Sequence, residues 1–195
     1  MTDPPRFHSK AEIPFSSLAF EPFRQVAEVD RFTCGSPDLD RFIKSEEVVV
    51  YSAQGYGQTT LVWQAHSLVA YYTVGRGELA AEELHQGKRS FHTKRWFVEE
   101  NIPALKIGRL AVSRPLQRKG LGRLLVAKIA NDAVESGDGP RLLLTRANPG
   151  SLDFWQKCAF QPVASRPKKA TSTSMTLFFR LDVLAINDPR AEFDL

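Results

Sequence analysis

The sequence predicts a mixed α/β domain whose sheet is covered by helices on both faces. Two observations predict it. Strand-like and helix-like runs alternate along the chain, in the order strand, helix, two strands, a variable segment, strand, helix, strand, helix, two strands. A clear amphipathic helix also follows a glycine-bearing strand–helix junction, "QRKGLG", at Gln117–Gly122. The 195 residues suit one domain with tails. The expected division is an arm over 1–22, a domain over 23–184 and a tail over 185–195.

The arm holds Pro4, Pro5, Pro14 and Pro22 and is expected to be extended or partly disordered. "RQVAEVDRF" alternates well enough for a strand. "CGSPDLDRFIKSEEVVVYSAQ" predicts a helix, with Ser36 as N-cap and Pro37 at the first helical position. Leu39, Phe42, Ile43 and Val50 would form its apolar face. "QTTLVWQAHSLVAYYTVG" reads as a hairpin broken near His66 and Ser67. From Glu78 to Pro103 the pattern weakens into a short helix and a basic loop.

"ALKIGRLAV" is a strand, ended by Pro115. In the helix that follows, Lys128, Asn131, Asp132 and Glu135 mark a polar face. Leu125, Val126, Ile129, Ala130, Ala133 and Val134 cover the other side. Gly137 is the expected C-terminal cap. "RLLLTRA" is a buried strand, "PGSLDFWQKCAF" a short helix entering a strand at Phe160, and "TSTSMTLFFRL" the last strand.

Composition narrows the class. No apolar run approaches the roughly 20 residues of a membrane span, and the first residues lack a signal peptide's apolar middle. Two cysteines, Cys34 and Cys158, make neither a disulfide framework nor a zinc site, and no metal is expected. They read as buried thiols in a cytoplasmic protein. The net charge of +4 tolerates an anionic partner without proving one.

Glycine costs helix stability, so two glycines at a helix start need a reason. The first turn of a helix carries unpaired N–H donors and a partial positive charge, which suit a phosphate. Glycine lets the backbone approach an oxygen, and Gln117, Arg118 and Lys119 add donors and charge. The junction therefore reads as a pyrophosphate cradle. It lacks the third glycine of a dinucleotide fingerprint and the G-K-[ST] of a P-loop. As a bare string it also fits a basic helix start with no ligand.

Gln117-x-x-Gly120-x-Gly122, with "IGRLAV" upstream and "N-x-x-x-x-x-F-W-x-x-x-x-F" downstream, resembles the acyl-CoA loop of the GNAT superfamily of N-acetyltransferases. The resemblance spans roughly residues 24–182. It implies a central, mixed, mostly antiparallel sheet flanked by helices, and acetyl-CoA as acyl donor. "FTCGSPDLDRFI" resembles more narrowly the opening of the GNAT toxins of toxin–antitoxin modules, at Phe32, Cys34, Gly35, Leu39, Asp40 and Phe42. Such toxins acetylate the amino group of aminoacyl-tRNA. The same residues also fit a corner packed around Phe32 and Leu39.

By the resemblance, backbone groups at Leu110, Ala111 and Val112 hold the pantetheine arm and polarise the thioester carbonyl. The pyrophosphate meets Gln117, Arg118, Lys119, Gly120, Leu121, Gly122 and Arg123, and Asn148 contacts the CoA arm. Asn148 also suits a helix N-cap. Holding amine and thioester together supplies much of the acceleration, and a donor must protonate the departing thiolate. The toxin branch has a tyrosine for this in F-Y-x-x-x-G-F. Here the stretch is "FWQKCAF", with Trp155 at the tyrosine and Ala159 at the glycine. An indole N–H does not serve as an acid, so Trp155 reads as packing against Leu152 and Ala159 or as a wall beside the acyl group. The remaining acid/base candidates are Tyr71, Tyr72, His92, Glu99 and Glu100, with water as another carrier.

"HQGKRSFHTKRW" combines Lys88, Arg89, Lys94 and Arg95 with Phe91 and Trp96, a pattern suited to phosphates and unpaired bases and equally to a solvated basic loop. The expected partners are acetyl-CoA, tRNA, a small antitoxin-like protein and a second copy in a homodimer. A small-molecule or protein amine acetyltransferase and a catalytically weak acyl-CoA-binding module are the alternatives.

Overall fold

The computed structural model describes residues 13–80, 101–135, 142–163 and 173–178. Its elements are β1 (Leu18–Pro22), α1 (Ala27–Arg31), α2 (Pro37–Lys44), α3 (Glu47–Ala53), β2 (Gln58–Gln64), β3 (Ser67–Ala80) and β4 (Asn101–Val112). After these come α4 (Leu121–Glu135), β5 (Leu142–Ala147), α5 (Leu152–Lys157), β6 (Gln161–Pro162) and β7 (Thr173–Phe178). The strands join one sheet in the order β1-β2-β3-β4-β5-β7-β6. The pairings β1–β2, β2–β3, β5–β7 and β6–β7 are antiparallel. The fold is thus the mixed, mostly antiparallel α/β architecture expected.

The chain forms two compact units. Among the described residues, one comprises 13–76 and Ile107–Ile129; the other comprises 77–80, 101–106, 130–135, 142–163 and 173–178. In the first unit the core gathers Val29, Phe32, Cys34, Phe42, Ile43, Val48, Leu61, Trp63, Leu68, Tyr71 and Ala111. Its hairpin is the expected one: Gln64 pairs Ser67 across a two-residue loop in which Ala65 has φ 51°. Within α4, Leu125, Val126 and Ile129 are buried, as the helical period requires.

Four local expectations are corrected. "RQVAEVDRF" does not form a strand: Ala27–Arg31 is a helical turn that buries Val29 alone, while β1 forms earlier, at Leu18–Pro22. Glu28 and Asp30 in its first turn and Arg31 in its last match the helix dipole, a preference the apparent alternation hid. The helix foreseen from Ser36 to Gln54 is two helices, because Ser45 is extended at ψ 167° and ends α2. That break rephases the second helix, so Val48 is buried and Val50, expected inside, is 47% exposed. Ser36 precedes α2 but makes no side-chain cap.

In the second unit, Leu79, Ile102, Ala104, Leu142 and Val163 form a small core. Trp155 and Cys158 of the α5 segment are also buried, so both cysteines are buried free thiols as expected. The turn after α5 places Ala159 at φ 63°, with its N–H bonded to the Gln156 carbonyl. This is the position where the resembling toxins carry glycine, and the backbone keeps a conformation that disfavours a Cβ. Ala159→Gly is therefore expected to stabilise the fold by about 1 kcal/mol. A urea midpoint that does not rise would show that the turn relaxes freely around alanine.

Candidate functional site

The cradle residues all lie in the first unit, at the end of β4 and the start of α4. β4 delivers Leu110, Ala111 and Val112, of which Ala111 is buried and the other two half-buried. A 3-10 turn at Arg114–Leu116 follows, and Gln117 is extended at φ −66° and ψ 153°. Arg118 then takes φ 62° and Gly120 φ 84°, with no positive φ at Lys119 between them. Such sign alternation turns successive N–H groups towards one side, the geometry of an anion-binding nest. At φ 84° only glycine is unstrained, which explains Gly120 directly.

The helix begins at Leu121, where Leu124 N–H meets the Gly120 carbonyl at 3.1 Å. No intrahelical acceptor serves the N–H groups of Leu121, Gly122 and Arg123, so the first turn offers donors and the positive end of the helix dipole. Gly122 is half-buried, whereas the Arg118, Lys119 and Arg123 side chains are exposed around this turn.

Gln117 does something the sequence did not announce. Its amide nitrogen donates to the Cys34 carbonyl at 2.6 Å and to the Val112 carbonyl at 3.0 Å. The side chain expected to meet a phosphate is thus turned to protein carbonyls, where it holds the loop. Two backbone bonds run beside it: Arg114 N–H to the Thr33 carbonyl at 2.9 Å and Ser113 N–H to the Val69 carbonyl at 2.8 Å. The corner at Phe32–Phe42 is therefore the anchor of the cradle.

Each residue of that corner has a physical task. Phe32 is buried edge-on against Tyr71, with ring centroids 5.5 Å apart. Gly35 sits at φ 80°. Asp40 turns back along α2: one oxygen accepts from Cys34 N–H at 2.7 Å, the other from the Thr33 hydroxyl at 2.9 Å and Gly35 N–H at 3.3 Å. Burial alone would raise its pKa, but the bonds from Cys34, Thr33 and Gly35 outweigh it and hold the carboxyl below its usual range. Burial, aided by the Asp40 carboxylate, pushes the Cys34 thiol up to about 11, so it is no nucleophile at neutral pH. Phe42 lies under the Arg109 guanidinium at 3.6 Å, and Arg109 also pairs with Glu47 at 2.9 Å.

The candidate acids fare unevenly. Tyr71 is fully buried, its hydroxyl donates to the Leu39 carbonyl at 2.7 Å, and burial pushes its pKa strongly upward. It is a core residue. Tyr72 is buried as well. His92, Glu99, Glu100 and the basic run Lys88–Trp96 lie outside the described residues. In the other unit, Trp155 is buried, and Phe154 and Phe160 meet its ring edge-on at 5.0 and 5.1 Å. Its packing partners include these phenylalanines, which were not foreseen, and packing is the role this geometry gives it. Asn148 is exposed and precedes the 3-10 turn Pro149–Ser151, with its carbonyl, not its side chain, accepting the Ser151 hydroxyl.

Comparison with known proteins bears on the fold. Residues 94–160 match the acetyltransferase (GNAT) family model. No curated protein matches by sequence. Among solved structures, the chain is similar to AtaT complexed with acetyl-methionyl-tRNAfMet, at 22% identity and TM-score 0.68, covering 86% of this chain and 97% of that one. It is also similar to a Tyr-to-Phe mutant of the AtaT toxin bound to the C-terminus of the antitoxin AtaR and acetyl-CoA, at 20% identity and TM-score 0.63, covering 83% and 93%. A Tyr-to-Phe mutant of KacT gives 20% identity and TM-score 0.64, covering 81% and 94%. The family match lies over residues 94–160, and the likeness to these structures is one of fold. No helix among the described residues is long and apolar enough to cross a membrane.

The Asp40 corner gives a pH test. A lowered carboxylate pKa contributes stability that is present above the unfolded value and lost as pH falls through the folded value. Asp40→Asn is expected to cost about 1–2 kcal/mol at pH 7 and to narrow its gap to wild type as pH drops below the usual carboxylate range. Urea midpoints at pH 7 and pH 3 check this; an equal gap at both would remove the charge from the explanation.

Proposed function

We propose that this chain transfers an acetyl group from acetyl-CoA to a primary amine, the α-amino group of an aminoacyl-tRNA. The observation that carries the first part is the backbone from Gln117 to Arg123. Positive φ at Arg118 and Gly120 and a fresh helix N-terminus put several N–H groups and three basic side chains at one place. That donor set fits a pyrophosphate. Acetyl-CoA supplies an acyl thioester, already activated for attack. The chain supplies the rest: Leu110–Val112 present strand backbone to the pantetheine and the carbonyl, and Gly120–Arg123 fix the phosphate end. Fixing one end while the other lies along a strand removes translational freedom from the reacting carbonyl. A backbone N–H aligned on the carbonyl oxygen would stabilise the charge that develops there.

The corner motif and the fold likeness to AtaT complexed with acetyl-methionyl-tRNAfMet and to the AtaT mutant toxin support the aminoacyl-tRNA acceptor. The basic run Lys88–Trp96 supplies the charge such a substrate calls for. A small antitoxin-like protein, a homodimer and a cytoplasmic setting belong to the same reading. Trp155 is not the acid; water or another side chain protonates the thiolate. A different primary amine becomes the better acceptor if methionyl-tRNA is not acetylated.

Three measurements test this. Gly120→Glu puts bulk and negative charge into the cradle and is expected to abolish CoA binding by calorimetry while the protein stays folded; unchanged affinity would remove the cradle. Labelled acetyl transfer to methionyl-tRNA is expected with wild type and, at most of its rate, with Trp155→Phe. Replacing Lys88, Arg89, Lys94 and Arg95 by Ala is expected to weaken tRNA binding and flatten its salt dependence, with CoA affinity unchanged. Wild type with no salt-sensitive tRNA binding would overturn the tRNA acceptor.

A further inference from the structure

Tyr56 is the most exposed of the large hydrophobic side chains among the described residues, at 60%. Its backbone is nevertheless fixed. The Tyr56 N–H donates to the Tyr51 carbonyl at 3.1 Å. A Cβ on Gly75 of β3 would overlap the Tyr56 carbonyl, and one on Gly57 would meet the Val74 carbonyl oxygen at 2.7 Å. The loop after α3 therefore lies backbone to backbone against β3, as glycine permits. The ring is backed as well. Its centroid is 5.7 Å from that of Tyr51, at a tilt of 39°. Tyr51 in turn meets Phe42 edge-on at 5.7 Å and lies 4.9 Å from the Arg109 guanidinium. One side of Tyr56 is thus anchored and the other is open to solvent. An anchored ring loses little freedom when a ligand covers it.

Tyr56 also lies near the strand given to the thioester. The Tyr51 hydroxyl oxygen is 2.7 Å from where a Cβ on Gly108 would stand, and Gly108 is two residues before Leu110. Tyr51 and Thr73 fill the space over Gly108 themselves, so the open aromatic face begins one ring further out, at Tyr56. The charge setting favours a polyanion. From Val48 to Gly77, and again from Asn101 to Asn131, the sequence has no Asp or Glu. The second stretch carries seven Lys and Arg residues. Glu47, just before the first stretch, is held by Arg109 at 2.9 Å. A flat ring in cationic surroundings suits a nucleobase that carries phosphates, because every base has a π face and aromatic side chains hold unpaired bases by stacking. Val49 and Val50, also exposed on α3, are aliphatic and offer no such face.

We propose that Tyr56 is the stacking platform for the unpaired terminal adenine of the aminoacyl-tRNA acceptor end. This deepens the aminoacyl-tRNA reading above and rests on it. The aminoacyl ester hangs from the ribose of that adenosine. A base seated on Tyr56 therefore sets the ester, and with it the amino group, a nucleoside's length away on the side of β4. Tyr56 positions the acceptor and takes no part in proton or acyl transfer. Tyr56→Phe keeps a stacking ring, Tyr56→Leu keeps apolar bulk without one, and Tyr56→Ala removes both.

The test measures binding of the full chain to two deacylated tRNAs, one intact and one whose terminal adenine is replaced by hydrogen on the same ribose. Wild type is expected to bind the intact tRNA about 10-fold more tightly, as one stacked base contributes. Tyr56→Phe is expected to keep that preference. Tyr56→Leu and Tyr56→Ala are expected to lose most of it, with CoA affinity and thermal midpoint near wild type. With methionyl-tRNA as acceptor, Tyr56→Ala is expected to raise KM several-fold more than it lowers kcat. Wild type binding both tRNAs equally would overturn the proposal. So would the Ala variant keeping the preference, or the Phe variant losing as much as Ala. A sedimenting dimer that Tyr56→Ala turns to monomer, with the adenine preference intact, would make this face a contact between copies instead. Wild type that binds CoA but neither tRNA would strike the aminoacyl-tRNA acceptor itself, and the stack with it, so the two failures are distinct.

Discussion

The amide of Gln117 is the interaction on which the candidate site depends. It donates to two carbonyls, one on the corner before α2 and one at the end of β4. A loop with two residues at positive φ is costly to hold, and this side chain fastens it at its first residue. The corner in turn is held by the Asp40 carboxylate, which pulls the Thr33–Gly35 backbone onto α2. Asp40, Cys34 and Gln117 are therefore linked by contact, and Gly120 follows three residues on: the ion-dipole bonds at one end fix the backbone that leads to the donors at the other. Each neutral bond is worth about 1 kcal/mol and the charged ones about twice that, enough to select one loop conformation among several.

Much of this was legible in the sequence because the signals are local. Gly120 before an amphipathic run marks a helix start bent by a glycine, and α4 obeys its period from Leu125 to Ala133. The strands Leu142–Ala147 and Thr173–Phe178 showed as short apolar or β-branched runs between breaks. The role of Gln117 was not legible, since its partners Cys34 and Val112 are set by tertiary structure and the first is distant in sequence. The break at Ser45 was missed because Ser-Glu-Glu is compatible with a continuing helix, and only the packing of Ile43 and Val48 requires the rephasing. Val26-to-Phe32 alternated like a strand, yet dipole-matched charges made it a turn of helix.

The departures from the toxin pattern carry information of their own. Ala159 keeps a left-handed backbone, the conformation a glycine would hold without strain. Trp155 is buried among Phe154 and Phe160, so the ring is packed where the toxin branch has a tyrosine. The segment thus packs, and its indole supplies no acid.

The central claim is that the backbone from Gln117 to Arg123 is a preformed cradle for the phosphates of CoA. Amide hydrogen exchange of the wild-type protein with and without CoA tests it most directly. The account predicts added protection concentrated at Gly120–Arg123, with the corner at Thr33–Asp40 already protected before the ligand is added. CoA binding that leaves Gly120–Arg123 exchanging at its free rate would contradict it.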